Sequence, residues 1–109
     1  MIAKPFTKHW QSSKLLELIH LDICGPLRTK THKGMEYFIT FIDDYSRYGY
    51  VYLLKHKSEA LEKFKNYKTE VEKQLGRPIK SINNDRGGEY EVFDKFCKGE
   101  GIRHIYTMP

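Results

Sequence analysis

Met35, Tyr37, Ile39 and Phe41 recur at every second position, and Tyr48, Tyr50 and Tyr52 repeat that period in a run that ends at Leu54. A period of two puts one set of side chains on one face of a strand, so both stretches predict strands. Asp43-Asp44-Tyr45-Ser46-Arg47 lies between them as a five-residue turn, which makes the pair an antiparallel hairpin. Upstream, residues 18–24 alternate, with Ile19, Leu21 and Ile23 on one face and His20, Asp22 and Cys24 on the other, before Gly25-Pro26 ends the strand. Downstream, the period changes. Leu61, Phe64, Tyr67, Val71 and Leu75 fall at steps of three and four, which predicts a helix capped by Ser58 and stopped by Gly76 and Pro78. Residues 79–84 form a short β-compatible stretch. Residues 91–98 present a Val92, Phe93, Phe96, Cys97 face ended by Gly99 and Gly101, and residues 102–106 form a last strand. Residues 1–14 show no period and read as an extended lead-in. The order of three strands, helix, strand, helix, strand predicts a mixed five-stranded α/β sheet with at least one helical crossover between parallel strands.

Composition narrows the class. The 109 residues suit one domain, and the eight Tyr and six Phe give it enough apolar bulk for a core. Nineteen Lys and Arg against fourteen Asp and Glu leave a net charge of +5, which suits a polyanionic partner but is shared by many soluble domains. Cys24 and Cys97 are far apart and no His or Cys pair has zinc-ligand spacing, which points to a reducing compartment. No leader opens the chain and no apolar run approaches the roughly 18 residues that cross a bilayer. The expectation is an intracellular protein, nuclear or cytoplasmic, with no membrane association.

The candidate chemistry lies in two carboxylates. Asp22 and Asp85 each follow a strand-like stretch and precede a glycine-containing turn. A right-handed crossover would return the strand after the first helix to the side of the first strand, so that the two aspartates converge. Neighbouring carboxylates repel unless protons or cations neutralise them, and hard divalent cations favour such oxygen ligands. Spacing alone leaves a simpler reading open, in which each aspartate caps its own turn.

The wording of three segments goes further. His20-Leu21-Asp22-Ile23-Cys24-Gly25-Pro26, Phe41-Ile42-Asp43-Asp44-Tyr45-Ser46-Arg47 and Asn84-Asp85-Arg86-Gly87-Gly88-Glu89-Tyr90 resemble, in order and spacing, the integrase core of copia-type long-terminal-repeat retrotransposons. The resemblance covers residues 15–109. It implies an RNase H-like fold, incomplete at its C-terminus. It also implies metal-dependent polynucleotidyl transfer, 3′-processing and strand transfer, with Mg²⁺ or Mn²⁺ as cofactor. Element ends and target DNA would be the partners, and the protein would work as a multimer on DNA. Asp22 and Asp85 match the first two catalytic and metal-binding carboxylates of that family. The third, a glutamate on a later helix, has no counterpart: Glu89 belongs to the Asp85 motif, Glu91 opens the second helix and Glu100 sits at that helix's end. The lead-in corresponds to the stretch after a zinc-binding module whose ligands His9 and His20 do not supply. The chain therefore reads as a fragment truncated at both ends and inactive alone. Two alternatives stay open: a non-catalytic nucleic-acid-binding remnant of a retroelement polyprotein, and an RNase H-like nuclease.

Other residues are weighed against plainer roles. Arg86, Lys55 and Lys57 are candidate nucleic-acid contacts, with Lys55, His56 and Lys57 opening the densest basic region. Asp43 and Asp44 are better read as turn residues than as extra ligands. Arg47 is expected to pair with one of them at the surface. The Tyr48, Tyr50, Tyr52 stripe suits sheet packing better than base stacking, and Cys97 is expected to be a buried, inert thiol.

Overall fold

In a computed structural model, residues 2–5, 13–28, 33–85 and 90–107 are described, with residues 2–5, 85, 90, 106 and 107 described by their backbone. The elements are β1 (Ile2–Pro5), β2 (Ile19–Cys24), β3 (Tyr37–Asp43), β4 (Tyr48–Leu54), a single 3₁₀ turn (Lys57–Glu59), α1 (Ala60–Leu75), β5 (Ser81–Asp85), α2 (Tyr90–Glu100) and β6 (Arg103–Thr107). They form one sheet in the order β1-β4-β3-β2-β5-β6, antiparallel from β1 to β2 and parallel from β2 to β6. The expected mixed α/β sheet is present with all five expected strands. A sixth strand corrects the reading of residues 1–14 as a lead-in without an element. Ile2–Pro5 pairs with the outer edge of β4, Ile2 opposite Val51 and Pro5 opposite Tyr48. A strand edge offers unpaired backbone groups to any extended segment that reaches it, whatever that segment's side-chain period.

Both helices pack on one face. Ile19, Leu21, Ile39, Phe41, Ile82 and Leu54 are buried on that side. The Phe41 ring stacks on Tyr67 of α1 at 4.7 Å, and Phe64 of α1 meets Phe93 of α2 at 5.7 Å. Pairs of this kind contribute about 0.5–1.5 kcal/mol each beyond the area they bury. Tyr50 and Tyr52 join the same cluster against Tyr67 and Phe41, so the tyrosine stripe packs the core, while Tyr48 at its end is exposed.

The caps differ in part from expectation. Gly76 adopts φ 66°, and its N–H donates to the Glu72 carbonyl at 2.9 Å, so the glycine stop ends α1 by a left-handed cap. Ser58 does not cap α1, because the chain passes through the 3₁₀ turn first and Glu59 stands at the N-cap. The Glu59 carboxylate instead accepts the Lys55 N–H at 3.0 Å. Among the described residues no helix is long and apolar enough to cross a membrane.

Candidate functional site

Ile19 and Leu21 point into the core, so alternation turns His20 and Asp22 to the face away from the helices. Asp22 is half-buried there. Its carboxylate Oδ2 lies 3.7 Å from the Cys24 thiol, which donates to it, and its carbonyl accepts from the Thr40 hydroxyl at 3.5 Å. On its other side runs β5. The crossover through α1 lays β5 parallel to β2, and the register sets Asp85 directly opposite Asp22. Adjacent strands lie about 4.8 Å apart, so the two aspartates occupy neighbouring positions at the C-terminal ends of the two strands. A pair of negative groups so placed is stabilised by a cation with hard oxygen preference. Among the described residues no group of three or more His, Cys, Asp and Glu side chains is arranged to hold a metal ion.

The basic candidates share this end of the sheet. Cys24 is paired with Phe38, and Tyr37 with Leu54, so the start of β3 and the end of β4 lie beside the end of β2. Lys55 and Lys57 therefore emerge at the same pole as the two aspartates, both exposed. The Lys57 ammonium stands 5.8 Å from the centroid of the Tyr37 ring. Tyr37 is a residue that sequence reasoning passed over as a strand residue, and only the fold places its ring beneath a lysine from beyond the next strand. Arg86 lies outside the described residues, as do Gly87, Gly88 and Glu89. Glu91 is exposed, and Glu100 at the far end of α2 reaches Lys68 at 3.6 Å.

A second polar group flanks Asp22 on the same face. His20 Nε2 lies 2.6 Å from Asp44 Oδ1, and its Nδ1 lies 3.4 Å from the Asn83 amide nitrogen. A neutral imidazole with its proton on Nε2 satisfies both contacts, donating to Asp44 and accepting from Asn83. The set ties β2, β5 and the β3–β4 turn together two residues from Asp22. Its sequence signal was the i, i+2 spacing of His20 and Asp22; Asn83 carried none. Arg47 reaches Asp44 at 3.4 Å, but the pair is not at the surface as expected: both side chains are at most 5% exposed.

Asp43 and Asp44 sit at the opposite end of β2, since Asp43 is paired with Ile19. Asp43 accepts the Leu16 N–H at 2.8 Å through Oδ1 and the Ser46 N–H at 2.7 Å through Oδ2. Asp44 lies in the turn, as read, while Asp43 is the last residue of β3 and braces the turn through Ser46. Cys97 is fully buried, and burial followed by the nearby Asp94 charge pushes its thiol up to about 11.

The chain matches the family model described as integrase core domain over residues 13–109. It is 41% identical over 97 residues to the retrovirus-related Pol polyprotein from transposon TNT 1-94 of Nicotiana tabacum, covering 87% of this chain and 7% of that protein. It is 30% identical over 99 residues to the corresponding polyprotein from transposon RE1 of Arabidopsis thaliana, covering 90% of this chain and 7% of that one. The chain thus spans a small part of the curated relatives it matches. Among solved structures, a simian T-cell lymphotropic virus intasome in complex with PP2A regulatory subunit B56 gamma aligns with TM-score 0.68 and 23% identity, over 92% of this chain and 37% of that chain. The HTLV-2 integrase catalytic core domain in complex with magnesium, in a trimeric form, aligns with TM-score 0.62 and 22% identity, over 84% of this chain and 60% of that chain. At these identities the structural likeness establishes the fold.

Proposed function

The chain belongs to the integrase core domain family, and on that premise we propose that Asp22 and Asp85 hold a divalent cation, Mg²⁺ or Mn²⁺, for polynucleotidyl transfer on DNA. The observation that carries this reading is the parallel β2–β5 register, which sets the two aspartates opposite one another beside exposed lysines. Two carboxylates on adjacent strands form an all-oxygen donor set that fits such a cation. When bound, the cation supplies Lewis-acid polarisation of a phosphodiester and charge stabilisation of the departing oxygen. Lys55 and Lys57 contribute long-range attraction for the DNA backbone. In the reaction a water, and then a DNA 3′ hydroxyl, attacks phosphorus in line; one P–O bond forms, the opposite one breaks, and the departing oxygen takes up a proton.

Two carboxylates of the family's three are present in this sequence, so the 109-residue chain by itself is proposed to have little strand-transfer activity. The intasome and the trimeric magnesium complex among its structural neighbours support DNA as partner, multimerisation, and the cation. The second reading, non-catalytic nucleic-acid binding, is favoured by the exposed Lys55 and Lys57, which attract phosphate whether or not a cation is held. Calorimetric titration with Mn²⁺ separates the two. Binding that is abolished in both Asp22→Asn and Asp85→Asn is the expected result, and heats indifferent to both changes would overturn the metal site.

A further inference from the structure

At the pole opposite Asp22 and Asp85, Lys14, Leu15, Glu17, Arg77, Pro78 and Lys80 line a cavity of about 320 Å³. Its two walls are the turn before β2 and the segment between α1 and β5, and the Lys80 N–H joins them by donating to the Leu16 carbonyl at 3.0 Å. The Ile79 N–H, donating to Glu72 Oε2 at 2.7 Å, ties the second wall to α1. Leu16 is itself held at φ 63°, a left-handed conformation costly for a branched residue, with its N–H bonded to Asp43.

Three exposed cations therefore converge on one concavity: Lys14 from one wall, Arg77 and Lys80 from the other. Among the described residues none of the three makes an ion pair with a carboxylate. Among the described residues the one acidic member of the lining is Glu17, whose Oε1 accepts the Ser13 N–H at 3.0 Å. With three cations against one carboxylate the described lining carries a net positive charge, which favours an anionic occupant. The cavity also stands about 17 Å along β5 from Asp85, too far for one phosphate to reach both.

We infer that this cavity is a second, metal-independent contact for a nucleic-acid backbone, in which Lys14, Arg77 and Lys80 hold phosphodiester groups remote from the two aspartates. It rests on the reading of the chain as a nucleic-acid protein and not on the metal site. The test is fluorescence-anisotropy binding of a duplex oligonucleotide in EDTA across a salt series, so that no cation bridges protein and DNA. Each duplex phosphate that a variant no longer neutralises lowers the magnitude of the negative slope of log affinity against log salt by about 0.9. Arg77→Gln/Lys80→Gln is therefore expected to lower that magnitude by about two, and Lys14→Gln by about one. Lys73→Gln/Lys95→Gln removes the same charge from exposed helix positions outside the cavity and is expected to change the slope by well under one. Equal decreases in the cavity and control pairs, or an unchanged slope in the cavity variants, would overturn the inference. Wild-type protein that binds no duplex would overturn the nucleic-acid reading along with it, whereas failure of Mn²⁺ binding alone would strike only the metal site.

Discussion

Asp43 commits both carboxylate oxygens to backbone N–H groups, one in its own turn and one 27 positions upstream at Leu16. Hydrogen bonds to an ionised group are worth about 1.5–3 kcal/mol, and a buried donor left without one carries a desolvation cost as well. Asp43→Ala is therefore expected to destabilise the fold by about 3 kcal/mol in urea unfolding, and Asp43→Asn by less, since one amide oxygen still accepts. A midpoint unmoved in the alanine variant would show that the Leu16 turn holds itself. The local half of this role was legible, because Asp at the start of a turn favours such bonds. The distant half was not: nothing in periodicity marks Leu16 as left-handed or names its partner. Arg47 shows the same limit. A pairing with Asp43 or Asp44 was readable from the turn they share, but the near-complete burial of Arg47 and Asp44 was not, since it depends on how the fold covers that turn.

At the scale of elements, the apolar periods located every strand and helix that has an apolar face, and the errors fall where backbone groups decide. The edge strand Ile2–Pro5 joins the sheet through β4's free backbone edge, which has no side-chain signature. The start of α1 is governed by Glu59 and the Lys55 N–H rather than by Ser58. Ser58→Ala is accordingly expected to change stability by less than about 0.5 kcal/mol, and Glu59→Ala to lower it by about 1 kcal/mol; a larger destabilisation at Ser58 in thermal melts would restore it as the cap. The turn after β2 was legible as Gly25-Pro26, and the structure gives the glycine a reason. Gly25 has φ 136°, and a Cβ there would meet the Glu36 carbonyl at 2.8 Å and the Tyr37 ring at 2.6 Å. The Glu36 carbonyl cannot retreat freely, because it accepts the Leu27 N–H at 2.6 Å. Gly25→Ala combines backbone strain with that clash and is expected to cost about 2–3 kcal/mol. If the proposed site at Asp22 and Asp85 holds Mn²⁺, the same change should weaken that binding, since the turn closes the strand that carries Asp22.

For the molecule as a whole, the crossover rule was the most productive inference from sequence, because it made β2 and β5 neighbours and so brought two distant aspartates to one end of one sheet. What the linear chain concealed was the other pole, where three cations from two connecting segments meet. The core between the poles has its own measurable signature. Burial raises the Cys97 thiol from 9.0 to about 11, and burial followed by the Glu70 charge raises the Tyr52 phenol from 10.0 to about 12. Tyr67, stacked on Phe41 in the core centre, is raised further in the same direction by burial first and by Asp43 next. Each of these groups is neutral when protonated, and each holds its proton more tightly folded than unfolded. Between the unfolded and folded values the native state thus binds more protons than the denatured one, and stability must fall as pH rises. Below about pH 8 both states are fully protonated at these groups and they contribute no slope. The melting temperature is therefore expected to be insensitive to these side chains from about pH 7 to 8 and to drop steadily from about pH 9 to 11. Cys97→Ala should be less stable at neutral pH through its small cavity, yet show a shallower alkaline decline beginning nearer about pH 10, where tyrosine alone remains to titrate. A melting temperature constant to about pH 11 would mean that these side chains reach solvent before the fold is lost.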